Sequence, residues 1–309
     1  MRKTTAFRRL IEAPGLVVLP GAHDALSARI IHQAGFEAYT AGGYSATATL
    51  LGAPDSSQLS MTEMADHYAR LADASPLPVM ADGDTGFGNS TNAARTVRAY
   101  ERAGVASLFI EDQVYPKRCG HTPGKAIIAA TEMVEKLKAA LDARIDPDLI
   151  IMARTDALEI DGLDAALERA HLYCEAGADM IFVEALGSIQ DMRRVCREVD
   201  APCLATRMNG GLTPDLSAAE FQELGFAALA LPAVATYAVG KTLTRVLAAL
   251  ARDDTHAEAA EAQLTFAEFN ALIGLDDLRN REDRYRDQAR ALARATGAEQ
   301  RADQPGRTT

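Results

Sequence analysis

The chain has 309 residues, 48% hydrophobic and 24% charged, an ordinary balance for a globular protein with ample material for a core. Its 32 basic and 43 acidic residues give a formal net charge of −11, which argues against non-specific binding to nucleic acid or an anionic membrane and leaves a small anionic substrate open. No apolar run reaches the roughly 18 residues of a membrane-spanning helix, and no signal-peptide core follows the polar, basic start Met1–Phe7.

Residues 3–13 read as a short amphipathic helix stopped by Pro14 and Gly15. Eight strand-like runs follow, at Val17–Leu19, Ala38–Ala41, Pro78–Ala81, Ser107–Ile110, Leu149–Ala153, Met180–Val183, Cys203–Ala205 and Ala227–Leu231. Helical patterns accompany them at 24–34, 61–74, 91–103, 131–143, 163–176, 188–198, 217–224 and 233–250. Caps such as Asp24, Thr131 with Glu132, and Ser217 with Glu220 open several of these. Gly35, Gly104 and Gly177 mark helix ends.

Eight β-then-α units with continuously apolar strands predict a (β/α)₈ TIM-type barrel over residues 1–250. A doubly wound open sheet rarely needs eight regular units. Residues 251–295 form a helical extension: a polar stretch, Arg252 to Glu261, then helical patterns at Thr265–Ile273 and Leu278–Ala295. A closed barrel has no room for them, so they are expected to pack outside it or on a neighbouring subunit. Residues 296–309 lack apolar content and are expected to be a disordered tail.

Catalytic groups of such barrels follow the C-terminal ends of the strands. Those positions hold Gly42-Gly43, Asp82-Gly83-Asp84, Glu111-Asp112, Arg154-Thr155-Asp156, Glu184 and Thr206-Arg207, so polar residues end several apolar runs on one expected face. Asp82 and Asp84, in a glycine-flexed loop, can reach one hard cation directly or through water. The same two carboxylates would repel a pyrophosphate, which excludes a phosphate-loop reading of the glycines around them. Glu111 and Glu184 are candidates to hold metal-bound water or to act as acid or base. Arg154 is a candidate clamp for a substrate carboxylate, with an ion pair to Asp156 or Glu184 as the alternative. Asp55 lies on a long connection after the second strand, a candidate lid.

The loop after the fourth strand concentrates the most chemistry: Lys117, Arg118, Cys119, Gly120 and His121 in sequence. Cations flanking a thiol are expected to stabilise its thiolate and make Cys119 reactive. The other cysteines, Cys174, Cys196 and Cys203, sit in helix or strand patterns and read as packing residues. With no CxxC pair, free thiols and a cytoplasmic location are expected. No GxSxG or HExxH is present, which leaves serine-hydrolase and zincin readings without support.

Together, KRCGH at 117–121, ADGDTGFGN at 81–89, IEDQ at 110–113, ARTDAL at 153–158, EAGAD at 175–179, FVEA at 182–185 and GGLTP at 210–214 resemble the isocitrate lyase/phosphoenolpyruvate mutase superfamily, in its short lyase branch. The resemblance implies a homotetramer with a C-terminal helix exchanged between neighbours. It also implies Mg²⁺, with Mn²⁺ as the alternative ion, near Asp82 and Asp84, largely through water and with Glu111 beside it. The implied reaction is a retro-aldol-type cleavage of a di- or tricarboxylic 2-hydroxy acid to an α-keto acid and a second carboxylate. In it Cys119 protonates the carbanion, tuned by Lys117, Arg118 and His121, and Tyr39 or Glu111 takes the hydroxyl proton. Gly42 and Gly43, Asp55, Lys117, Arg118, Gly120, Arg154, Glu184 and Thr206 are the implied substrate contacts.

Two departures mark the chain: Gly42 where relatives carry a serine, and Thr206 where they often carry an asparagine. The second falls on the dicarboxylate half of the substrate site. The other functions considered are a phosphonomutase of the carboxyphosphonoenolpyruvate type, an oxaloacetate decarboxylase or acylpyruvate-type hydrolase, and a carboxylate-binding barrel without turnover. Cys119 argues against the decarboxylase and hydrolase, and the intact set Asp82, Asp84, Glu111, Cys119 and Arg154 argues against the non-enzyme.

Overall fold

Strand alternation decides what this fold places at its centre. The computed structural model describes residues 1–253 and 260–296. Eight parallel strands are β1 Val17–Pro20, β2 Tyr39–Ala41, β3 Val79–Asp82, β4 Ser107–Glu111, β5 Ile150–Thr155, β6 Met180–Val183, β7 Cys203–Thr206 and β8 Ala228–Leu231. They lie in the order β1-β8-β7-β6-β5-β4-β3-β2, and a parallel bridge between Gly21 and Thr40 brings the edges together into a nearly closed (β/α)₈ barrel.

Side chains of successive strand residues point to opposite faces. Outward residues such as Ile110, Ile151, Ile181 and Ala205 pack in the large core between strands and helices. Inward residues Met80, Phe109, Ile150, Met152, Met180, Phe182 and Leu204 fill the lumen, with Phe7 and Ile11 of helix α1 (Lys3–Glu12) in the same cluster. Phe7 is fully buried, so α1 is part of the core.

The helices around the barrel are α2 Ala25–Gln33, α3 Gly43–Leu51, α4 Met61–Ala74, α5 Ser90–Ala103, α6 Ala130–Ala143, α7 Ala157–Ala176, α8 Ile189–Glu198, α9 Ala218–Leu224 and α10 Val234–Asp253. Helix α3 differs from the sequence expectation of an extended loop after β2. Its GYSATATLL sequence sets two alanines and two leucines, good helix formers, among serine and threonine, and Gly52 ends it in the left-handed conformation at φ 63°. The true loop is shorter, and Asp55 sits on it.

The chain divides into two compact units, Met1–Leu243 and Thr244–Thr309. In the second, helices Phe266–Ile273 and Leu275–Ala295 bury none of their own residues, and Phe266 is 87% exposed. The expected linker at Arg252–Glu261 lies mostly outside the described residues, as does the expected tail beyond Thr296. Among the described residues no helix is long and apolar enough to cross a membrane.

Phe7→Ala removes a ring from the lumen core and is expected to lower the unfolding free energy by about 3–5 kcal/mol. A denaturant titration measures it, and a loss below about 1 kcal/mol would mean that α1 does not belong to the core.

Candidate active site

The inward register that fills the lumen continues to the strand ends, where it turns polar. Thr40, Asp82, Glu111, Arg154, Glu184 and Thr206 each lie two residues beyond an inward core residue, within one residue of the C-terminal end of a strand. Glu111 is opposite Arg154 in the β4–β5 ladder, and Asp82 is opposite Phe109 in β3–β4. Thr40, Gly42, Asp82, Arg154, Glu184 and Thr206 line one cavity with Tyr44, Asp55, Lys117, Cys119, Gly120 and His121 above them.

The Asp82 backbone is fixed by tyrosines: the Tyr68 and Tyr100 hydroxyls donate to its carbonyl at 2.9 and 3.2 Å. Its carboxylate accepts from the amides of Gly43 at 2.8 Å and Asp84 at 2.9 Å. A Cβ on Gly43 would stand 3.1 Å from Asp82 Oδ2, so a side chain there would crowd this carboxylate. Lys117 Nζ lies 2.7 Å from Asp55 and 2.9 Å from Asp84. Burial and the carboxylates of Asp82 and Asp55 push the Asp84 carboxyl up to about 7, against the pull of Lys117.

Glu111 has no exposure, and burial raises its pKa well above the usual range despite Arg154 and Lys117. Both its oxygens and Asp84 Oδ1 lack a hydrogen-bond partner; the nearby Arg154 and Lys117 nitrogens are ion-pair contacts outside hydrogen-bond alignment. Orphaned buried carboxylate oxygens are where a hard cation is accommodated. Among the described residues, no three metal-ligating side chains converge on one point by themselves. The donor set therefore fits a cation that keeps much of its water.

Arg154 is 7% exposed and takes Asp156 as a two-pronged partner at 2.8 and 3.1 Å. Its Nη1 is 3.0 Å from Glu184, and its guanidinium lies over the rings of Phe109 and Phe182 at 5.8 and 5.2 Å. The alternative that sequence left open, pairing with Asp156 or Glu184, is realised with both, in a geometry that also holds the guanidinium in the cavity wall.

The KRCGH loop starts from a pinch, where Gln113 faces Ile127 in an antiparallel bridge. His121 Nε2 is 3.5 Å from Glu184, and the Leu212 amide approaches Nδ1 at 3.4 Å. The expectation of a cation-stabilised thiolate is corrected. Burial pushes the Cys119 thiol up, Asp55 adds to the rise, and the His121 amide, Lys117 and Arg154 do not reverse it. Cys119 is thus held as the thiol.

Two expected site residues are not brought to the others. Tyr39, a candidate base, points outward, with no exposure, and donates its hydroxyl to Leu71 O at 2.9 Å. Thr40, one residue on, has the inward place. Arg118 turns its guanidinium to Pro123 O at 3.3 Å, away from the cavity. Sequence reasoning missed Phe109 and Phe182, which the period-two register would have revealed. It also missed Gln113 and Lys125, whose contacts cross the loop and leave no periodic trace.

The sequence profile of the family described as phosphoenolpyruvate phosphomutase matches residues 7–251. A 2,3-dimethylmalate lyase of Eubacterium barkeri is 45% identical over 92% of this chain and 99% of its own. A 2-methylisocitrate lyase of Aeropyrum pernix is 40% identical, over 91% of this chain and 90% of its own. The crystal structure of a 2,3-dimethylmalate lyase, a PEP mutase/isocitrate lyase superfamily member, superposes with a TM-score of 0.88 at 33% identity, covering 92% of this chain and 96% of that one.

Alkylation reads the state of the thiol. Iodoacetamide labelling of Cys119, followed by peptide mass spectrometry, is expected to accelerate with pH through a midpoint above the ordinary cysteine value of about 8.5. A midpoint below about 8 would restore the thiolate.

Proposed function

The chain belongs to the phosphoenolpyruvate mutase/isocitrate lyase superfamily, and from that premise we propose that it is a carbon–carbon lyase cleaving a 2-methylisocitrate- or alkylmalate-like 2-hydroxy acid. The products are an α-keto acid, pyruvate, and a succinate-like carboxylate. The observation that carries this reading is Cys119 opening onto the same cavity as Arg154, with burial favouring its thiol form.

Arg154, braced by Asp156 and the two phenylalanine rings, receives the carboxylate of the α-keto fragment, since a guanidinium matches a carboxylate with two parallel hydrogen bonds. Gly42 lines the same cavity, while the Gly43 amide is engaged by Asp82. The hydroxyl proton leaves to Glu111, whose oxygens are unpartnered, while Tyr39 is turned away. The carbon–carbon bond breaks as that oxygen becomes a carbonyl, and its electron pair stays on the carboxylate fragment as a carbanion. The Cys119 thiol gives that carbon its proton, and the proton taken up by Glu111 returns through solvent to the sulfur, which restores both groups. Thr206 and His121 face the second fragment.

Asp82, Asp84 and Glu111 fit a divalent cation, Mg²⁺ with Mn²⁺ as the alternative. When bound, it supplies positive charge to the oxygens of the α-keto fragment. Lys117 and Asp55 keep the adjoining charges paired. The four free cysteines favour a cytoplasmic location. Apolar residues exposed in the second unit, Phe266, Phe269 and Leu292 among them, favour a homotetramer with exchanged helices.

A panel of 2-methylisocitrate and alkylmalates, assayed for pyruvate release with Mg²⁺, tests the activity. Cys119→Ser is expected to lose about a hundredfold or more of the best rate while cation binding persists. Cleavage by the serine variant at the wild-type rate removes the proton-donor role. Excess chelator is expected to abolish turnover, and full activity in chelator would remove the metal. A phosphonopyruvate signal in phosphorus NMR, with carboxyphosphonoenolpyruvate as substrate, would favour the mutase instead.

A further inference from the structure

Two side chains outside the reacting set grip the backbone on either side of Cys119. Gln113 is 1% exposed; its Nε2 donates to Arg118 O at 2.9 Å, and its Oε1 accepts from the Arg118 amide at 3.1 Å. One residue past Cys119, the Gly120 carbonyl accepts from Lys125 Nζ at 2.7 Å. Lys125 also donates to Asp156 Oδ1 at 2.9 Å and lies 2.9 Å from Glu159, with no side-chain exposure.

An ammonium this deeply buried is costly unless its acceptors are all in place. A methionine would fill the same space without that cost, so packing alone does not account for a lysine. What the ammonium adds is a link between a loop carbonyl and a scaffold carboxylate. Asp156 is firmly scaffold: it precedes α7, and its amide donates to Asp112 Oδ1 at 2.9 Å. Asp156 Oδ1 is also the atom that accepts from Arg154 Nη2 at 3.1 Å. Gly120 meanwhile lies so close to Arg154 and Glu184 that a Cβ there would be 2.4 Å from Arg154 Nη2.

We propose that Lys125 and Gln113 are positioning residues that seat Cys119 over the cavity, with Lys125 tying the loop to the carboxylate that orients Arg154. The inference rests on the lyase reading for its purpose, though its geometry does not. Gln113 holds the loop in register before the thiol, and Lys125 holds it after. When a substrate carboxylate draws Arg154 away, Lys125 keeps Asp156 Oδ1 satisfied, so the loop stays seated while the guanidinium changes partner.

Hydrogen exchange by mass spectrometry on the full-length, substrate-free protein tests the seating, with Lys125→Met and Gln113→Met as the variants. Each is expected to speed exchange at residues 117–122 by about tenfold, the loss that one well-placed hydrogen bond carries, with β4–β6 unchanged. In turnover, kcat is expected to fall about tenfold with KM within about twofold, because the thiol serves the protonation step. Lys125→Arg, which keeps the charge, is expected to restore part of kcat and of the protection. Unchanged exchange in both methionine variants overturns the proposal, even if activity is lost. Gln113→Met supplies the same reading if Lys125→Met does not fold. Because the exchange arm needs neither substrate nor turnover, it stands if the lyase reading fails; unchanged exchange beside an active wild type removes the seating alone.

Discussion

The mouth of this barrel depends on keeping one guanidinium charged inside a lumen lined by aromatic rings. Arg154 stands on Phe109 and Phe182, and its charge is held by Asp156, Glu184 and Glu111. Taking such a charge out of water costs several kcal/mol unless well-aligned partners replace the water. Here the partners come from strands β4 and β5 and the residues that follow β5 and β6, so the ion network forms only when the barrel closes in its native register. A slip of one residue in β5 would turn Arg154 into the helix layer and put Thr155 in its place.

The same network explains why the cavity is built for both a cation and an anion. Asp55, Asp82, Asp84, Glu111, Asp156 and Glu184 surround Lys117, Arg154 and Lys125. Carboxylates outnumber cations, and the surplus gathers at Asp82, Asp84 and Glu111, where both Glu111 oxygens and Asp84 Oδ1 lack an aligned donor. A polycarboxylate entering beside Arg154 adds negative charge to a site already rich in it. On the proposed reading, a positive ion on the aspartate side would balance that charge, and the guanidinium serves the other.

Much of this was legible in the sequence because a barrel converts strand ends into one face. Apolar runs ended by Asp82, Glu111, Arg154 and Glu184 announced both the fold and the layer. Legibility stopped where side-chain direction mattered. Tyr39 and Thr40 are adjacent, yet only the residue in the inward register reaches the cavity. Arg118 is next to Cys119 in the chain, yet successive residues of an extended loop diverge, and its charge goes to Pro123. Lys125 and Asp156 are 31 positions apart, and no periodic pattern pairs them. Helix α3 was missed because a glycine-led stretch carrying serine and threonine looks like a flexible connection until its C-terminal glycine is seen in the left-handed conformation.

The thiol shows why proximity in sequence is a poor guide to charge state. The three basic neighbours Lys117, Arg118 and His121 suggest a thiolate, but what sets the balance is how much water the sulfur keeps. Cys119 is half-buried within the loop, and burial outweighs the nearby cations. That outcome serves the chemistry better than a thiolate would. A carbanion left by carbon–carbon cleavage needs a proton already in place, and a thiolate has none to give. On the proposed lyase reading the loop would have two tasks at once, to exclude water from the carbanion and, by the same exclusion, to keep the proton on the sulfur that quenches it.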